Sequence, residues 1–336
     1  MKKNPRQRHS QEEYYQGILK ADKVVLAQAI TLAESELESD RNLIENLIEK
    51  LVTDKKDSIR IGITGSPGVG KSTFIEAFGK LLTAQNKRVA VLAIDPSSYK
   101  TKGSILGDKT RMEELAKDPL AFIRPSATRN MLGGVAAGTK ESIILCEAAG
   151  FDVIIIETVG VGQSETAVRN LVDFFLLLML AGSGDELQGI KKGIMEMADG
   201  VVITKADGEN LKKATQAQAD FTHALHLFQL PDSRWNPKVL TSSALEKTGI
   251  EETNKIISDY VRFTRANGFF EKNRHRQDVA CFHDYFNSSL LHFLIQRSAI
   301  EKSKKKLEEE VMAGQITPWL ASRQLLNLVF DALKKM

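Results

Sequence analysis

The sequence is poor in cysteine. It has two cysteines among 336 residues, Cys146 and Cys281, which lie far apart and belong to no CxxC pair. This pattern argues against a disulfide framework and against a cysteine zinc site. Two isolated thiols are typical of a protein from a reducing compartment, so we expect a cytoplasmic location.

Long hydrophobic runs and an excess of one charge are also missing. The longest apolar run, Phe174–Ala181, is far shorter than the roughly 20 residues that a spanning helix needs. The basic start, Met1–His9, is followed by polar residues, which argues against a signal peptide. With 46 basic and 43 acidic residues, charge does not favour nucleic-acid binding. We expect neither a membrane nor a nucleic acid as a partner.

Three compositional regions follow one another along the chain. Residues 1–55 have helical periodicity, with Leu26, Ile30, Ala33 and Leu37 at four- and three-residue steps. Residues 56–265 alternate apolar runs with helical segments, which predicts one α/β domain. Residues 266–336 return to helix.

The C-terminal region has two apolar stripes and a helix-start signal. Thr317-Pro318 predicts an N-cap followed by proline in the first turn of the last helix. Stripes of this kind need a surface to cover them. The sequence leaves two options open, namely packing back on the same domain or contact with a second copy. The stripe residues are Val279, Phe282, Phe286, Leu290 and Phe293, then Leu325, Leu326, Val329, Phe330 and Leu333.

Seven short apolar runs are candidate strands. Runs without polar alternation, such as Val153-Ile154-Ile155-Ile156, indicate strands buried on both faces of a parallel sheet. The predicted fold is therefore a doubly wound, mostly parallel α/β domain with helical extensions at both ends. The candidates are Arg60–Thr64, Arg88–Asp95, Ala121–Arg124, Phe151–Thr158, Phe174–Leu180, Gly200–Thr204 and Lys238–Leu240.

A complete G-x-x-x-x-G-K-[ST] motif follows the first candidate strand. Its backbone N–H groups are expected to surround phosphate oxygens at a helix N-terminus. Lys71 is predicted to contact the β- and γ-phosphates, and Ser72 to ligate Mg²⁺. The predicted nucleotide contacts in this segment are Gly65, Ser66, Pro67, Gly68, Val69, Gly70, Lys71, Ser72 and Thr73.

Two strands end in carboxylates that are candidates for the metal site. Asp95 and Glu157 each close an apolar run, and the carboxyl ends of parallel strands line the ligand crevice. Either carboxylate is expected to hold Mg²⁺ directly or through water. Gly160 follows Glu157 by three residues and is predicted to contact the γ-phosphate, while Gln163 is a candidate for orienting the attacking water.

The segment Thr204-Lys205-Ala206-Asp207 is similar to the N-K-x-D element of GTPases, with threonine in the place of asparagine. Asp207 would accept hydrogen bonds from guanine N1–H and N2–H₂, which adenine does not offer. Lys205 is expected to lie along the base plane. Losing the asparagine is expected to weaken the local scaffold. Ser243 and Ala244 resemble an S-A element, whose backbone contacts guanine O6, so GTP and GDP are the expected nucleotides.

These motifs, in this order, resemble the MeaB/ArgK family, whose members are GTPase chaperones of adenosylcobalamin-dependent methylmalonyl-CoA mutase. The most specific segments are Asp95-Pro96-Ser97-Ser98 and Gly107-Asp108-Lys109-Thr110-Arg111-Met112, joined by Arg124-Pro125-Ser126 and by the segment from Glu157 to Gln163. The resemblance covers nearly the whole chain.

The resemblance implies further roles. The metal shell would comprise Ser72, Asp95, Asp108 and Glu157, and Asp108 would also serve catalysis. Lys191 lies in a segment that resembles the one through which the mutase stimulates hydrolysis, and it would reach the developing phosphate charge. A homodimer through the C-terminal helices is implied, as is gating of cofactor loading and protection of the mutase.

Three alternatives remain open from the sequence. A nickel-insertion GTPase has a related architecture, but the six histidines form no convincing ligand set. An ATP-driven component or kinase of amino-acid transport would prefer ATP, which Asp207 disfavours. A dimeric scaffold that binds nucleotide and barely hydrolyses it is disfavoured by the intact Lys71, Ser72 and Glu157.

Overall fold

The computed structural model describes seven segments of the chain. They are residues 8–35, 37–95, 112–127, 134–158, 163–181, 192–295 and 298–334. The chain divides into two compact units, a larger one that extends to residue 280 and a smaller one that begins at residue 281. The domain boundaries expected at residues 55 and 265 remain a prediction.

The larger unit contains a parallel sheet of seven strands in its described part, with the order β3-β2-β4-β1-β5-β6-β7. All seven strands expected from the sequence are confirmed, and the expected mostly parallel sheet is parallel throughout. The strands are β1 (Ile59–Gly65), β2 (Val89–Asp95), β3 (Ala121–Ala127), β4 (Val153–Thr158), β5 (Phe174–Leu180), β6 (Gly200–Thr204) and β7 (Lys238–Thr241).

Helices precede, alternate with and follow the strands. Those before the sheet are α1 (Gln11–Leu19), α2 (Lys23–Ala33) and α3 (Glu38–Leu51). Those between or next to strands are α4 (Lys71–Ala84), α5 (Glu113–Ala116), α6 (Gly134–Ala148), α7 (Gln163–Arg169), α8 (Lys192–Met197), α9 (Leu211–His226) and α10 (Ile250–Ala266). The last are α11 (Phe269–Ile295), α12 (Ser298–Met312) and α13 (Pro318–Lys334). In the described part of the chain, none of them combines the length and hydrophobicity required to cross a bilayer.

The central strands bury both faces, as their unbroken apolar runs predict. All six residues of β4 are buried. Ile154 and Ile156 belong to one hydrophobic core together with α1, α2, α3 and α6. Val153 and Ile155 belong to another core together with α4 and α10. Because successive side chains of a strand point to opposite faces, one apolar run supplies both cores of the doubly wound domain.

The N-terminal helices share the first of these cores, and one detail of their predicted stripe is wrong. Leu26, Ile30 and Ala33 are buried, but α2 ends at Ala33. Leu37 is the N-cap residue of α3 and is 58% exposed. The three- and four-residue spacing of apolar residues extends beyond Ala33, the residue at which the helix ends. A hydrogen bond of 2.6 Å from Arg124, on β3, to Glu34 lies at that helix end.

The smaller unit contains the end of α11 together with α12 and α13. The predicted start of α13 is confirmed, because the Leu320 N–H donates to Thr317 Oγ1 at 3.2 Å. Phe282, Phe286 and Phe293 of the predicted stripe are exposed by 62%, 55% and 53%.

Asp118 links α4 to the segment that leads into β3, and we expect loss of its carboxylate to destabilise the fold measurably. Its carboxylate accepts hydrogen bonds from Lys80 Nζ at 2.7 Å, Thr83 Oγ1 at 2.8 Å and the Leu120 N–H at 3.0 Å. The Lys80 hydrogen bond is the main reason that the pKa of Asp118 is lowered to about 2. Asp118→Asn should lower the free energy of unfolding by about 1 kcal/mol at neutral pH.

The pH dependence tests this assignment. Because the folded pKa is depressed, the stabilisation is fully present above about pH 4, near the unfolded pKa, and is lost as the pH falls toward 2. Urea titrations of wild type and Asp118→Asn should therefore converge in acid. Glu49→Ala, at an exposed position of α3, serves as the control. A wild-type advantage that persists at pH 2 would contradict the assignment.

Candidate functional site

The phosphate-binding motif follows β1, the strand at which the order of the sheet switches from one side to the other. β1 pairs with β4 on one side and β5 on the other, and the motif ends in α4. A Cβ on Gly65 would lie 2.5 Å from the Leu178 carbonyl oxygen, so only glycine fits next to β5. Gly70 is the N-cap of α4 and has φ +95°, which is costly for other residues. The loop therefore curls at the carboxyl edge of the sheet and places the N-terminus of α4 there, where backbone N–H groups can bind an anion.

Lys71 lies across this loop. Its Nζ donates to the carbonyl oxygens of Gly65 at 2.7 Å and Ser66 at 3.1 Å. A half-buried ammonium group held within the curled loop suits phosphate oxygens, which are better acceptors than carbonyl groups because they are charged.

Ser72 and Glu157 converge at the same edge. Ser72 Oγ donates to Glu157 Oε1 at 3.3 Å, and the Glu157 residue is 7% exposed. Beside them, Thr158 Oγ1 donates to Thr64 Oγ1 at 2.8 Å, which ties the ends of β4 and β1 together. A hydroxyl and a carboxylate next to a phosphate-binding loop are the hard oxygen ligands that Mg²⁺ prefers. The residues therefore fit the expected metal.

Asp95 ends β2, the neighbour of β4. In the parallel register Ala93 pairs with Glu157 and Ile94 with Thr158, so Asp95 lies one residue beyond Thr158 at the same sheet edge. Its backbone is described and its side chain is not. Gln163 is the first residue of α7, and its side chain also lies outside the described part, as do Asp108, Gly160 and Lys191 altogether.

The predicted base-reading segment, residues 204–207, is held against the phosphate-binding loop. Thr204, the last residue of β6, places Oγ1 2.7 Å from the Val69 carbonyl oxygen and 3.1 Å from that of Met179. Lys205 Nζ donates to the Gly68 carbonyl at 2.9 Å. The sequence suggested that threonine in place of asparagine weakens this scaffold. The threonine hydroxyl contacts the phosphate-binding loop and β5, and the weakening relative to asparagine stays a prediction.

Asp207 and Ser243 meet at the end of β7. Ser243 Oγ donates to Asp207 Oδ2 at 2.5 Å, and Ser243 forms an antiparallel bridge with Thr248. This bridge closes the turn that contains Ala244. The Ala206 N–H donates to the Ser242 carbonyl at 3.1 Å, so the two predicted base-binding segments form one continuous surface.

Sequence reasoning missed one contributor to this surface, Asn210. Its Nδ2 donates to the Lys205 carbonyl at 2.9 Å. No motif pointed to it, because the contact depends on a turn in which Lys205 has φ +55°, and motif spacing does not reveal such a turn.

Comparison with known proteins gives a consistent result. Residues 26–299 match the family model described as "Methylmalonyl Co-A mutase-associated GTPase MeaB". The chain is 48% identical over 307 residues to a probable GTPase of Mycobacterium tuberculosis, covering 91% of each protein. It is 42% identical to the GTPase ArgK of Escherichia coli, covering 94% of this chain and 96% of that protein.

A mouse protein and a solved structure extend the comparison. The methylmalonic aciduria type A homolog, mitochondrial, of Mus musculus is 42% identical, covering 94% of this chain and 79% of that protein. The crystal structure of an LAO/AO transport system kinase superposes with a TM-score of 0.73 at 36% identity, covering 97% of this chain and 99% of that one.

Proposed function

The chain belongs to the MeaB family of methylmalonyl-CoA mutase-associated GTPases and is a GTP hydrolase; on that premise, we propose that it is a Mg²⁺-dependent switch that serves an adenosylcobalamin-dependent acyl-CoA mutase. Methylmalonyl-CoA mutase is the partner we propose, as the names of the family and of the mouse relative suggest. The chain would gate loading of the mutase with its cofactor and protect the loaded enzyme. We place this activity in the cytoplasm.

The nucleotide-dependent part of this proposal rests mainly on the hydrogen bonds at one edge of the sheet. Groups suited to phosphate, metal and base are joined at one sheet edge through direct hydrogen bonds. Ser72 contacts Glu157 at 3.3 Å, Lys205 contacts Gly68 at 2.9 Å, and Asp207 contacts Ser243 at 2.5 Å. A site with this order from phosphate to base suits a guanine nucleotide.

Each group has a defined task in the proposed hydrolysis. The backbone N–H groups of Gly65–Thr73 and the Lys71 ammonium would bind the phosphates and stabilise negative charge as the γ-phosphate leaves. Ser72 and Glu157, with Asp95 and Asp108, would hold Mg²⁺. When bound, Mg²⁺ neutralises phosphate charge and orients the β- and γ-phosphates.

Other residues would bind the attacking water and the base. Gln163, at the start of α7, would orient the attacking water. Asp207 and Lys205 would read guanine, with the backbone of Ser243 and Ala244 contacting O6. Because adenine carries an acceptor where guanine carries a donor, ATP would leave the Asp207 carboxylate without a hydrogen-bond donor from the base.

The switch itself would involve the segment between Glu157 and α7. Gly160 would contact the γ-phosphate, and hydrolysis would remove that contact. A partner is regulated in this way only if its affinity differs between the GTP and GDP states. The mutase should therefore bind one nucleotide state more tightly, and Lys191 would supply charge to the transition state in the complex.

Regulation by the partner is tested by measuring mutase binding and the rate of GTP hydrolysis in the presence of purified mutase. Lys191→Ala should keep intrinsic GTP hydrolysis and lose most of the acceleration by the mutase, by about 100-fold or more if the lysine acts like an arginine finger. Lys213→Ala, an exposed lysine of α9, is the matched control. Equal mutase affinity in the GDP state and in a non-hydrolysable GTP state would count against a switch, and full acceleration in Lys191→Ala would count against its role.

We also propose that the chain is a homodimer through its C-terminal helices. The exposed aromatic residues Phe282, Phe286 and Phe293 share one face of α11, and Trp319 at the start of α13 is 84% exposed. Covering such a face stabilises an assembly by removing apolar surface from water. Sedimentation velocity should give the mass of two chains, and a single-chain mass at micromolar concentration would contradict the proposal.

A further inference from the structure

The carboxylate of Glu76, on α4, makes a specific contact that the proposed mechanism does not use. Its Oε1 accepts hydrogen bonds from the backbone N–H groups of Glu114 at 2.8 Å and Leu115 at 3.4 Å, in the first turn of α5. We propose that Glu76 is a positioning residue that holds the segment containing Asp108 next to α4, and that it thereby sets the affinity of the site for Mg²⁺. The inference rests on the proposed magnesium site.

Glu76 lies one helical turn beyond the proposed metal ligand of α4. It follows Ser72 by four residues in the same helix, and residues four apart share one face of a helix with about 5–6 Å between their Cβ atoms. Ser72 in turn contacts Glu157 at 3.3 Å. One face of α4 therefore presents a proposed Mg²⁺ ligand in its first turn and, one turn further on, the carboxylate that binds α5.

Apolar packing fixes α5 on α4 as well. Leu115 is fully buried and lies against Gly79, where an added Cβ would be 2.5 Å from Leu115 Cδ2. Met112, the N-cap residue of α5, is also fully buried. Hydrogen bonds to an ionised acceptor are stronger than those between neutral groups. Together with this packing, the Glu76 contact gives the start of α5 one defined position on α4.

The length of the chain connects this position to the metal. Asp108, which lies outside the described residues, precedes Met112 by four residues, and four residues of extended chain span at most about 14 Å. The same segment begins after Asp95, at the carboxyl edge of the sheet. Losing the Glu76 contact would release one of these two ends, which lowers the fraction of molecules in which Asp108 reaches the ion next to Ser72.

Glu76→Ala should raise the Mg²⁺ concentration required for tight nucleotide binding by about tenfold. Nucleotide affinity in EDTA should stay within about twofold of wild type, because the proposed phosphate and base contacts do not include Glu76. Alanine is a good helix former, so α4 should persist. Glu76→Gln keeps an oxygen acceptor at the same position, and its Mg²⁺ requirement should stay within about threefold of wild type.

The experiment is calorimetric titration of the full chain with a non-hydrolysable GTP analogue, over a series of Mg²⁺ concentrations and in EDTA. Thermal melting of the nucleotide-free protein is measured alongside. Asp118→Asn is the matched control, because Asp118 bonds the chain that follows α5 to the same helix through Lys80 and Thr83. This control should lower the melting temperature without changing the Mg²⁺ requirement.

A double variant tests whether Glu76 acts through Asp108. Asp108→Asn alone should raise the Mg²⁺ requirement, because it removes a proposed ligand. Adding Glu76→Ala to Asp108→Asn should then change the requirement by less than about twofold, since residues that act through one interaction are not additive.

Distinct results separate this inference from the proposed magnesium site. An unchanged Mg²⁺ requirement in Glu76→Ala, an equal defect in Glu76→Gln, or additive effects in the double variant would overturn the role of Glu76 and leave the magnesium site intact. If Asp108→Asn itself leaves the Mg²⁺ requirement unchanged, the proposed ligand set is wrong and the inference falls with it.

Discussion

Lys71→Ala is expected to lower the affinity for GTP by about 100- to 1,000-fold and to abolish measurable hydrolysis. The ammonium lies within the phosphate-binding loop, bonded to the carbonyl oxygens of Gly65 and Ser66 at 2.7 and 3.1 Å. Alanine removes the lysine ammonium that we propose to contact the β- and γ-phosphates. The helix N-terminus and the backbone N–H groups remain, so weak residual binding should survive.

This loss is measured by titration with GTP and GDP and by phosphate release. Lys87→Ala is the control, because Lys87 follows the other end of α4 and has no proposed contact with nucleotide. The folded state of Lys71→Ala should match wild type by circular dichroism. Retention of tight GTP binding in this variant would remove the basis for a phosphate site at Gly65–Ser72.

Asp207→Asn is expected to exchange the preferred base from guanine to xanthine. In the proposed site the carboxylate would accept two donors from guanine, whereas asparagine would offer one donor and one acceptor. Xanthine presents a carbonyl where guanine has its amino group, which matches asparagine. GTP affinity should fall about 100-fold or more, and XTP affinity should rise. Ser243 Oγ, now 2.5 Å from Asp207 Oδ2, can still donate to the asparagine oxygen, so the local structure should persist.

Competition of GTP, XTP and ATP for the same protein measures this exchange. Asp220→Asn is the matched control, since Asp220 is an exposed carboxylate of α9. A gain of XTP binding cannot result from unfolding, which makes it the decisive readout. If GTP affinity is unchanged in Asp207→Asn, the assignment of the base-reading residue is wrong.

The parts of the fold that the sequence predicts are those set by local pattern. The run Val153-Ile154-Ile155-Ile156 has no polar alternation, and it forms a strand buried on both faces. The motif that begins at Gly65 connects a strand to a helix, as its glycine spacing requires. Carboxylates at strand ends lie at one edge because parallel strands share their direction, which brings Glu157 to Ser72.

The features that the sequence did not reveal depend on tertiary contacts. Leu37 fits the helical spacing of α2 but lies beyond its end, since spacing does not tell where a helix stops. The donor role of Thr204 toward the Val69 carbonyl is visible only once β6 and the phosphate-binding loop are adjacent. The same holds for Asn210, whose contact requires the left-handed turn at Lys205.

Other roles remain predictions from the sequence. Asp108, Gly160 and Lys191, and the side chains of Asp95 and Gln163, lie outside the described residues. Their assignments rest on the motifs and on the family, and the experiments with the mutase address Lys191 directly.

The measurement that tests the central claim most directly is phosphate release from GTP and from ATP, with Mg²⁺, in the presence and absence of purified methylmalonyl-CoA mutase. The expected result is slow release from GTP, little from ATP, and a large acceleration of GTP hydrolysis by the mutase. A preference for ATP would contradict the role of Asp207 and favour a transport-linked kinase. A rate of GTP hydrolysis that the mutase does not change would contradict the assignment of methylmalonyl-CoA mutase as the partner.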